Sequence, residues 1–265
     1  MKGKEIPMKK FTIMLALGLA LIMNGIFANG SAEQTTTENK VVHIASNCEW
    51  PPLEFVDAEG NIVGFEIDLL KSLEDVTGYT FEVKNVAWDG IFAGMANGAY
   101  DGVASGVSVT DERKNVMDFS TTILNVTQSI ISPKSTKNPA MNAQDLSGKK
   151  VGVLIGSTGD LFLQDSGIDV DIKAYDDVAS SIEDLINGNL DYAVTDSIVA
   201  SEYVLQNENY KAKLEITGQA GDVAEPIAFA FSKGDSFHVN LVNDGLKTLE
   251  ENGTIDALKS KWKLI

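Results

Sequence analysis

Residues 97–106, NGAYDGVASG, return in pattern as residues 187–196, NGNLDYAVTD, and this pair decides the fold. Each copy reads as a helix end, an Asn-Gly turn, an aspartate and an apolar strand. In this correspondence Ser105 and Gly106 stand where Thr195 and Asp196 stand in the second copy. Asn-Gly turns after helices are common, so a fortuitous match is the competing reading. If the repeat is real, the chain contains two similar α/β units, each ending a corresponding strand in polar residues.

The flanking segments extend both units. Residues 41–45 (VVHIA) form a β-branched run that residues 46–52 break with Asn, Glu and two prolines. Ile67, Leu70, Leu73 and Val76 recur near helical spacing before Gly78, a C-terminal cap. A strand over 81–86, a helix carrying Ile91, Phe92 and Met95, and a strand over 103–107 complete the first unit. Thr110 then reads as the N-cap of a helix with Asp111 and Glu112 in its first turn. In the second unit, KKVGVLI (149–155) enters a GSTG turn, followed by strands near 170–175 and 192–195 around a helix over 178–186. This alternation implies parallel sheets with covering helices, and ligands in such sheets bind beyond the carboxyl ends of the strands.

Two long β runs, 123–132 and 225–232 (EPIAFAFS), read as crossings between the units, and 237–262 reads as a helical tail broken at Gly253. The expected organisation is α/β, with two Rossmann-like lobes joined by a two-strand hinge. Lobe 1 takes 41–128 and 227–265, and lobe 2 takes 129–226. Two lobes with a hinge and a cleft are built to close on a small ligand.

Residues 1–32 show the basic start, apolar run and small-residue end of a secretory signal peptide, with Met1 and Met8 both open as starts. Residues 33–40 are polar and read as a linker. Removing Lys2, Lys4, Glu5, Lys9 and Lys10 takes the formal charge from −17 to −20. That sign argues against nucleic acid and anionic membranes as partners. Cys48 is the one cysteine, so no internal disulfide and no thiolate metal cluster is expected, nor a lipid anchor at the cleavage point. The reading is an exported, unanchored monomer without a cofactor.

Among 21 basic residues Arg113 is the one arginine. A planar, bidentate donor fork just after a Ser/Gly turn suits the clamping of a carboxylate, which Lys does less well. A surface arginine in the first turn of a helix is the plain alternative.

Six stretches taken in order, EWPPLEF (49–55), VGFEIDLL (63–70), WDGIFAGMANGAYDGVASGVSVTDERKNVMDFS (88–120), DLSGKKVGVLIGSTGD (145–160), NGNLDYAVTD (187–196) and ENGTIDALKSKW (251–262), resemble the solute-binding proteins of ABC importers for polar amino acids. The resemblance spans essentially the whole mature chain. It implies a type II periplasmic binding protein fold, a free amino acid as ligand and a membrane permease as partner. It also implies that Arg113 receives the α-carboxylate with backbone N–H groups near Ser108, Ser157 and Thr158. Asp196 would take the α-ammonium with Ser105 and Gly106 as acceptors, and Trp50 and Trp88 would enclose the ligand side chain. Many relatives with basic ligands carry an acid where Asn47 stands, and Glu49 is near enough in sequence to substitute for it. A zwitterion in a closed cleft needs a partner for each charge, which is independent support for the Arg113 and Asp196 division.

Plain readings stand beside these. The tryptophans could be ordinary packing, as Trp262 is expected to be. Glu66 and Asp68 look like solvated or capping carboxylates, and Asp101 and Asp191 like local turn residues. The 156–159 turn lacks the lysine of a phosphate loop. An enzyme resembling cyclohexadienyl dehydratases on the same fold is the alternative function, and it would need a general acid in the cleft, Asp196 or Glu49. Acidic amino acids would need a lysine that the motif loops do not offer, so cationic and neutral polar ligands remain, with the acidic, Trp-rich surroundings favouring the cationic.

Overall fold

Val42 and Ile44 bury alternate, branched side chains along a strand at Val41–Ser46, and this strand sits inside the first of two five-stranded sheets. The structure is a computed structural model that describes residues 40–221 and 223–264. The signal peptide expected over 1–32 and the linker over 33–40 lie outside the described residues, apart from the exposed Lys40. Among the described residues no helix is long and apolar enough to cross a membrane.

The first sheet runs in the order Thr80–Asn85, Val41–Ser46, Gly102–Val103, Ala230–Ser232, Met117–Phe119. The second runs Asp171–Tyr175, Lys150–Leu154, Tyr192–Asp196, Gln128–Pro133, Leu214–Gln219. The two orders are equivalent, strand for strand. In each, a central strand has parallel neighbours on both sides, and one strand alone runs against its neighbours. The parallel sheets expected from the sequence are therefore mixed. The reversed members, Ala230–Ser232 and Gln128–Pro133, lie in the expected crossings. They arrive without the helical crossover that a parallel neighbour requires.

Each crossing is two strands where one was expected. Leu124–Val126 pairs antiparallel with Glu225–Ile227 as a separate ribbon, and each chain then breaks before entering a sheet. At the first break Thr127 accepts from the Ser197 N–H at 2.7 Å and donates its own N–H to Ser197 Oγ at 3.2 Å. Hydrogen bonding is satisfied there, so the interruption is stable.

The helix Phe65–Thr77 ends at Gly78 in the left-handed conformation, φ 70°, as expected. Its buried face is Phe65, Glu66, Leu69, Leu70 and Leu73, whereas Ile67 is half-buried and Val76 exposed. The face is rotated from the expected one because the helix Ser236–Glu251 packs across it. A Cβ on Gly245 would come within 2.5 Å of Leu73. Burying each leucine here contributes roughly 1.5–3 kcal/mol.

Asp101 and Asp191 occupy matching places. Asp101 Oδ2 accepts from the His43 N–H and Asp191 Oδ2 from the Lys150 N–H, each at 2.8 Å. Each aspartate fastens its turn to the central strand of its sheet, at the third residue in the first sheet and the first in the second, so the local role read from the sequence is what the structure contains.

Candidate functional site

The carboxyl ends of the two sets of strands meet around one cavity. Asn47, Trp50, Trp88, Ser105, Gly106, Ser108 and Arg113 line it from the first sheet's side, and Ser157, Thr158 and Asp196 from the second's. Leu154 joins them and was not foreseen. The two sides touch: Ser108 Oγ and Thr158 Oγ1 are 3.5 Å apart, and an Arg113 terminal nitrogen donates to the Gly156 carbonyl at 3.5 Å.

Arg113 is brought in by its helix, Asp111–Val116, which Thr110 caps by accepting the Arg113 N–H at 3.2 Å. Its guanidinium donates to the Ser108 carbonyl at 3.0 Å. It lies 5.7 Å from the Trp88 ring centre and 5.2 Å from that of Phe92, with those two rings packed edge to face. Trp88 therefore steadies the arginine, a role not read from the sequence. Burial pushes the Arg113 pKa down from its usual value, against the opposing pull of Asp196 and Glu225. The side chain stays a cation, and its recorded partners are carbonyl oxygens.

Asp196 ends the strand Tyr192–Asp196 and is buried. Burial pushes its carboxyl up to about 7; Glu225 adds to that push, while the Gln128 amide, Arg113 and the Trp50 N–H oppose it. Gln128 Nε2 lies 2.7 Å from Asp196 Oδ1, 3.0 Å from Thr158 Oγ1 and 3.2 Å from Glu225 Oε1. One amide with two hydrogens thus serves three acceptors. A Cβ on Gly159 would stand 2.6 Å from Gln128 Oε1, so the glycine makes room for this amide. Gln128 and Glu225 were missed by the sequence reading. A buried polar residue inside the apolar run 123–132 was the available signal.

Ser105 and Gly106 serve the cavity through their backbones. Ser105 Oγ accepts from the Asn47 N–H at 2.9 Å and donates to Glu54 Oε1 at 3.1 Å, and the Gly106 N–H reaches both Glu66 oxygens at 3.3 Å. Gly106 has φ 54°, and a Cβ there would lie 2.9 Å from Trp50 Nε1, so the glycine is needed twice over. The Trp50 N–H is buried and near enough to Asp196 to draw its carboxyl down, but it meets no acceptor at hydrogen-bond geometry. Asn47 is buried, its Nδ2 donating to the Val86 carbonyl at 3.4 Å. Ser157 spends its hydroxyl capping the helix Thr158–Asp165, whose N-terminal residues Ser157 and Thr158 line the cavity, and a helix N-terminus favours anions.

Two expectations are corrected. Glu49 does not line the cavity. It shares the strand Glu49–Trp50, and since successive side chains point to opposite faces, burying Trp50 sends Glu49 outward to an exposed groove with Asp89, Asp176 and Asp177. Glu66 is not solvated: both it and Glu54 are fully buried beneath the Ser105–Gly106 turn. Asp68 tethers the tail, accepting from Lys261 Nζ at 2.7 Å and Trp262 Nε1 at 2.6 Å.

Comparison with known proteins agrees with this architecture. The chain is 34% identical over 248 residues to a probable histidine-binding protein of Neisseria gonorrhoeae, covering 92% of this chain and 91% of that protein. An ancestral arginine-binding protein solved with arginine superposes with a TM-score of 0.79 at 33% identity, over 84% of this chain and 98% of that one. An ancestral amino acid-binding protein described as a precursor of cyclohexadienyl dehydratase gives 0.77 at 30% identity, over 85% and 96%. The sequence profile of the bacterial extracellular solute-binding proteins, family 3, matches residues 42–264, and the chain belongs to that family.

Proposed function

We propose that this protein is the exported receptor of an ABC importer, closing on one free polar L-amino acid, cationic or neutral, and presenting it to a membrane permease. The observation that carries this reading is the convergence of Arg113 and Asp196, from opposite sheets, on one small cavity. The guanidinium and the N-terminal turn at Thr158 take the α-carboxylate. Asp196 and the carbonyls of the Ser105–Gly106 turn take the α-ammonium. Trp50 and Trp88 flank the side chain, where an indole face attracts a cation. An ancestral arginine-binding protein solved once with arginine and once with glutamine fits a polar ligand, cationic or neutral.

Closure is the relative movement of lobe 1 (41–128 and 227–265) and lobe 2 (129–226) about the ribbon of Leu124–Val126 and Glu225–Ile227. Glu225 is part of that ribbon and Gln128 lies two residues beyond it, and Gln128 bonds both Glu225 and Asp196, so the ammonium site and the hinge share a hydrogen-bond network. The receptor acts as a monomer.

Titration calorimetry with the twenty amino acids, on protein unfolded and refolded to strip bound ligand, tests this directly. One amino acid per chain binding with a dissociation constant of about 1 μM or below is expected. Heat from none of them overturns the proposal.

A second reading has one observation in its favour. Asp196, buried and holding its proton up to about pH 7, has the character of a general acid, as a dehydratase of cyclic carboxylates on this fold would require. Aromatic product formed from a cyclohexadienyl carboxylate, and lost in Asp196→Asn, would favour it over the receptor.

A further inference from the structure

Under the cavity lies a second group of ionisable residues that do not line it. Glu54 comes from the strand Glu54–Val56 and Glu66 from the first turn of the helix Phe65–Thr77, and both are 0% exposed. The backbone holds their elements tightly together. The Glu66 N–H donates to the Leu53 carbonyl at 2.9 Å, and Gly64 packs so closely that a Cβ there would lie 2.8 Å from the Glu54 Cα. Leu53, Phe65 and Leu69 close the surroundings as fully buried apolar side chains.

Each carboxyl grips one residue of the same turn. Glu54 Oε1 accepts from Ser105 Oγ, and both Glu66 oxygens accept from the Gly106 N–H. Glu54 Oε2 has no hydrogen-bond partner. Among the described residues neither glutamate forms an ion pair or a hydrogen bond with a lysine, arginine or histidine. Two adjacent negative charges in such an enclosure would each carry an uncompensated desolvation penalty.

We propose that Glu54 and Glu66 are positioning residues of the ligand site, and that one proton held by the pair locks the Ser105–Gly106 turn with its carbonyls toward the cavity. The proton neutralises one carboxyl and removes the mutual repulsion, and Glu54 Oε2, which accepts no hydrogen bond, is free to carry it. Burial pushes both carboxyls up from the usual carboxylate range, with Glu66 adding to the push on Glu54. The other titratable groups that Glu54 feels, Cys48 and Asp196, are acids and act in the same direction, while the Ser105 hydroxyl opposes them. The role in ligand binding rests on the receptor reading above; the shared proton does not.

The test is a carbon-13 NMR titration of the glutamate carboxyls in the intact wild-type protein. One glutamate resonance titrating above about pH 7, and missing from E54Q/E66Q, is expected, against an ordinary glutamate near 4.3. If every glutamate carboxyl titrates below about pH 6, the shared proton is refuted. Because this measurement uses the wild-type chain, it decides the question even if a variant fails to fold.

L-arginine affinity tests the positioning role. Glu66→Ala should weaken binding about tenfold or more, since the Gly106 N–H loses its acceptor. Glu66→Gln, a neutral side chain that still accepts, should recover most of that loss. Equal losses in the two variants would overturn the role. Should wild-type protein bind no amino acid, the receptor reading falls and the NMR result still stands or falls separately.

Discussion

The turns that follow Gly102–Val103 and Tyr192–Asp196 begin alike and end differently. Up to Asp101 and Asp191 the two units are superposable in role, each aspartate fastening its turn to a backbone N–H of the central strand at 2.8 Å. Beyond that point the first copy leaves its sheet. Gly106 takes φ 54°, and its turn, which lines the cavity, is gripped from below by Glu54 and Glu66. The second copy stays in its sheet to the last residue and offers the carboxyl of Asp196. A repeated scaffold thus delivers two places in space, and what is placed there is decided by the layer beneath. The first end is a backbone surface supported by buried acids; the second is a single charged side chain supported by Gln128.

Breaking the charge division should have the largest effect. Arg113→Lys loses the fork that a carboxylate can meet with two bonds, and amino-acid affinity should fall about a hundredfold or more by calorimetry. Unchanged affinity would remove Arg113 from the role of clamp. Next is the second unit's carboxyl. Asp196 holds its proton up to about pH 7 without ligand, and a ligand ammonium favours the ionised form, so the bound carboxyl titrates lower. Affinity should therefore fall about tenfold per unit as pH drops below 7 and level off above it. Asp196→Asn should abolish that slope, and a slope that survives would place its origin elsewhere.

The third comparison separates the matched pair Ser105 and Thr195. Ser105 bridges Asn47 and Glu54, whereas the Thr195 hydroxyl is buried without a partner. In urea unfolding, Ser105→Ala should cost about 1–3 kcal/mol and Thr195→Ala less than about 0.5 kcal/mol. The smallest difference is expected at the turns themselves. Asp101→Ala and Asp191→Ala should each cost about 1 kcal/mol of stability, and by similar amounts, because their bonds are equivalent. A large disparity would mean that the repeat is one of sequence pattern and not of structure.

Much of this was legible in the chain. The helix ends at Gly78 and Gly253, the cap at Thr110 and the helix over 178–186 follow from local chemistry that acts within a few residues. Ten of the eleven residues picked as ligand contacts line one cavity, because they sit at strand ends whose position the alternation of strands and helices dictates. Glu49 lies outside it, in a groove that shares Asn47 and Trp88 with the cavity, for a reason also local, since a strand cannot place both it and Trp50 on one face. The breaks at Thr127 and after Ile227 escaped notice because residues 70 or more positions away hold them, as Ser197 holds Thr127.

By itself, then, the sequence determined the two units, the alternation of strands and helices within each, and the placing of Arg113 and Asp196 at one cleft. These rest on periodicity, capping and turn chemistry, which are short-range. Only the tertiary structure decided that Glu66 faces inward to join Glu54, that Gln128 and Glu225 stand behind Asp196, and that Trp88 supports Arg113. Such facts depend on which side of an element meets another from a distant part of the chain. An acid in a first helical turn reads the same whether it meets water or a buried partner.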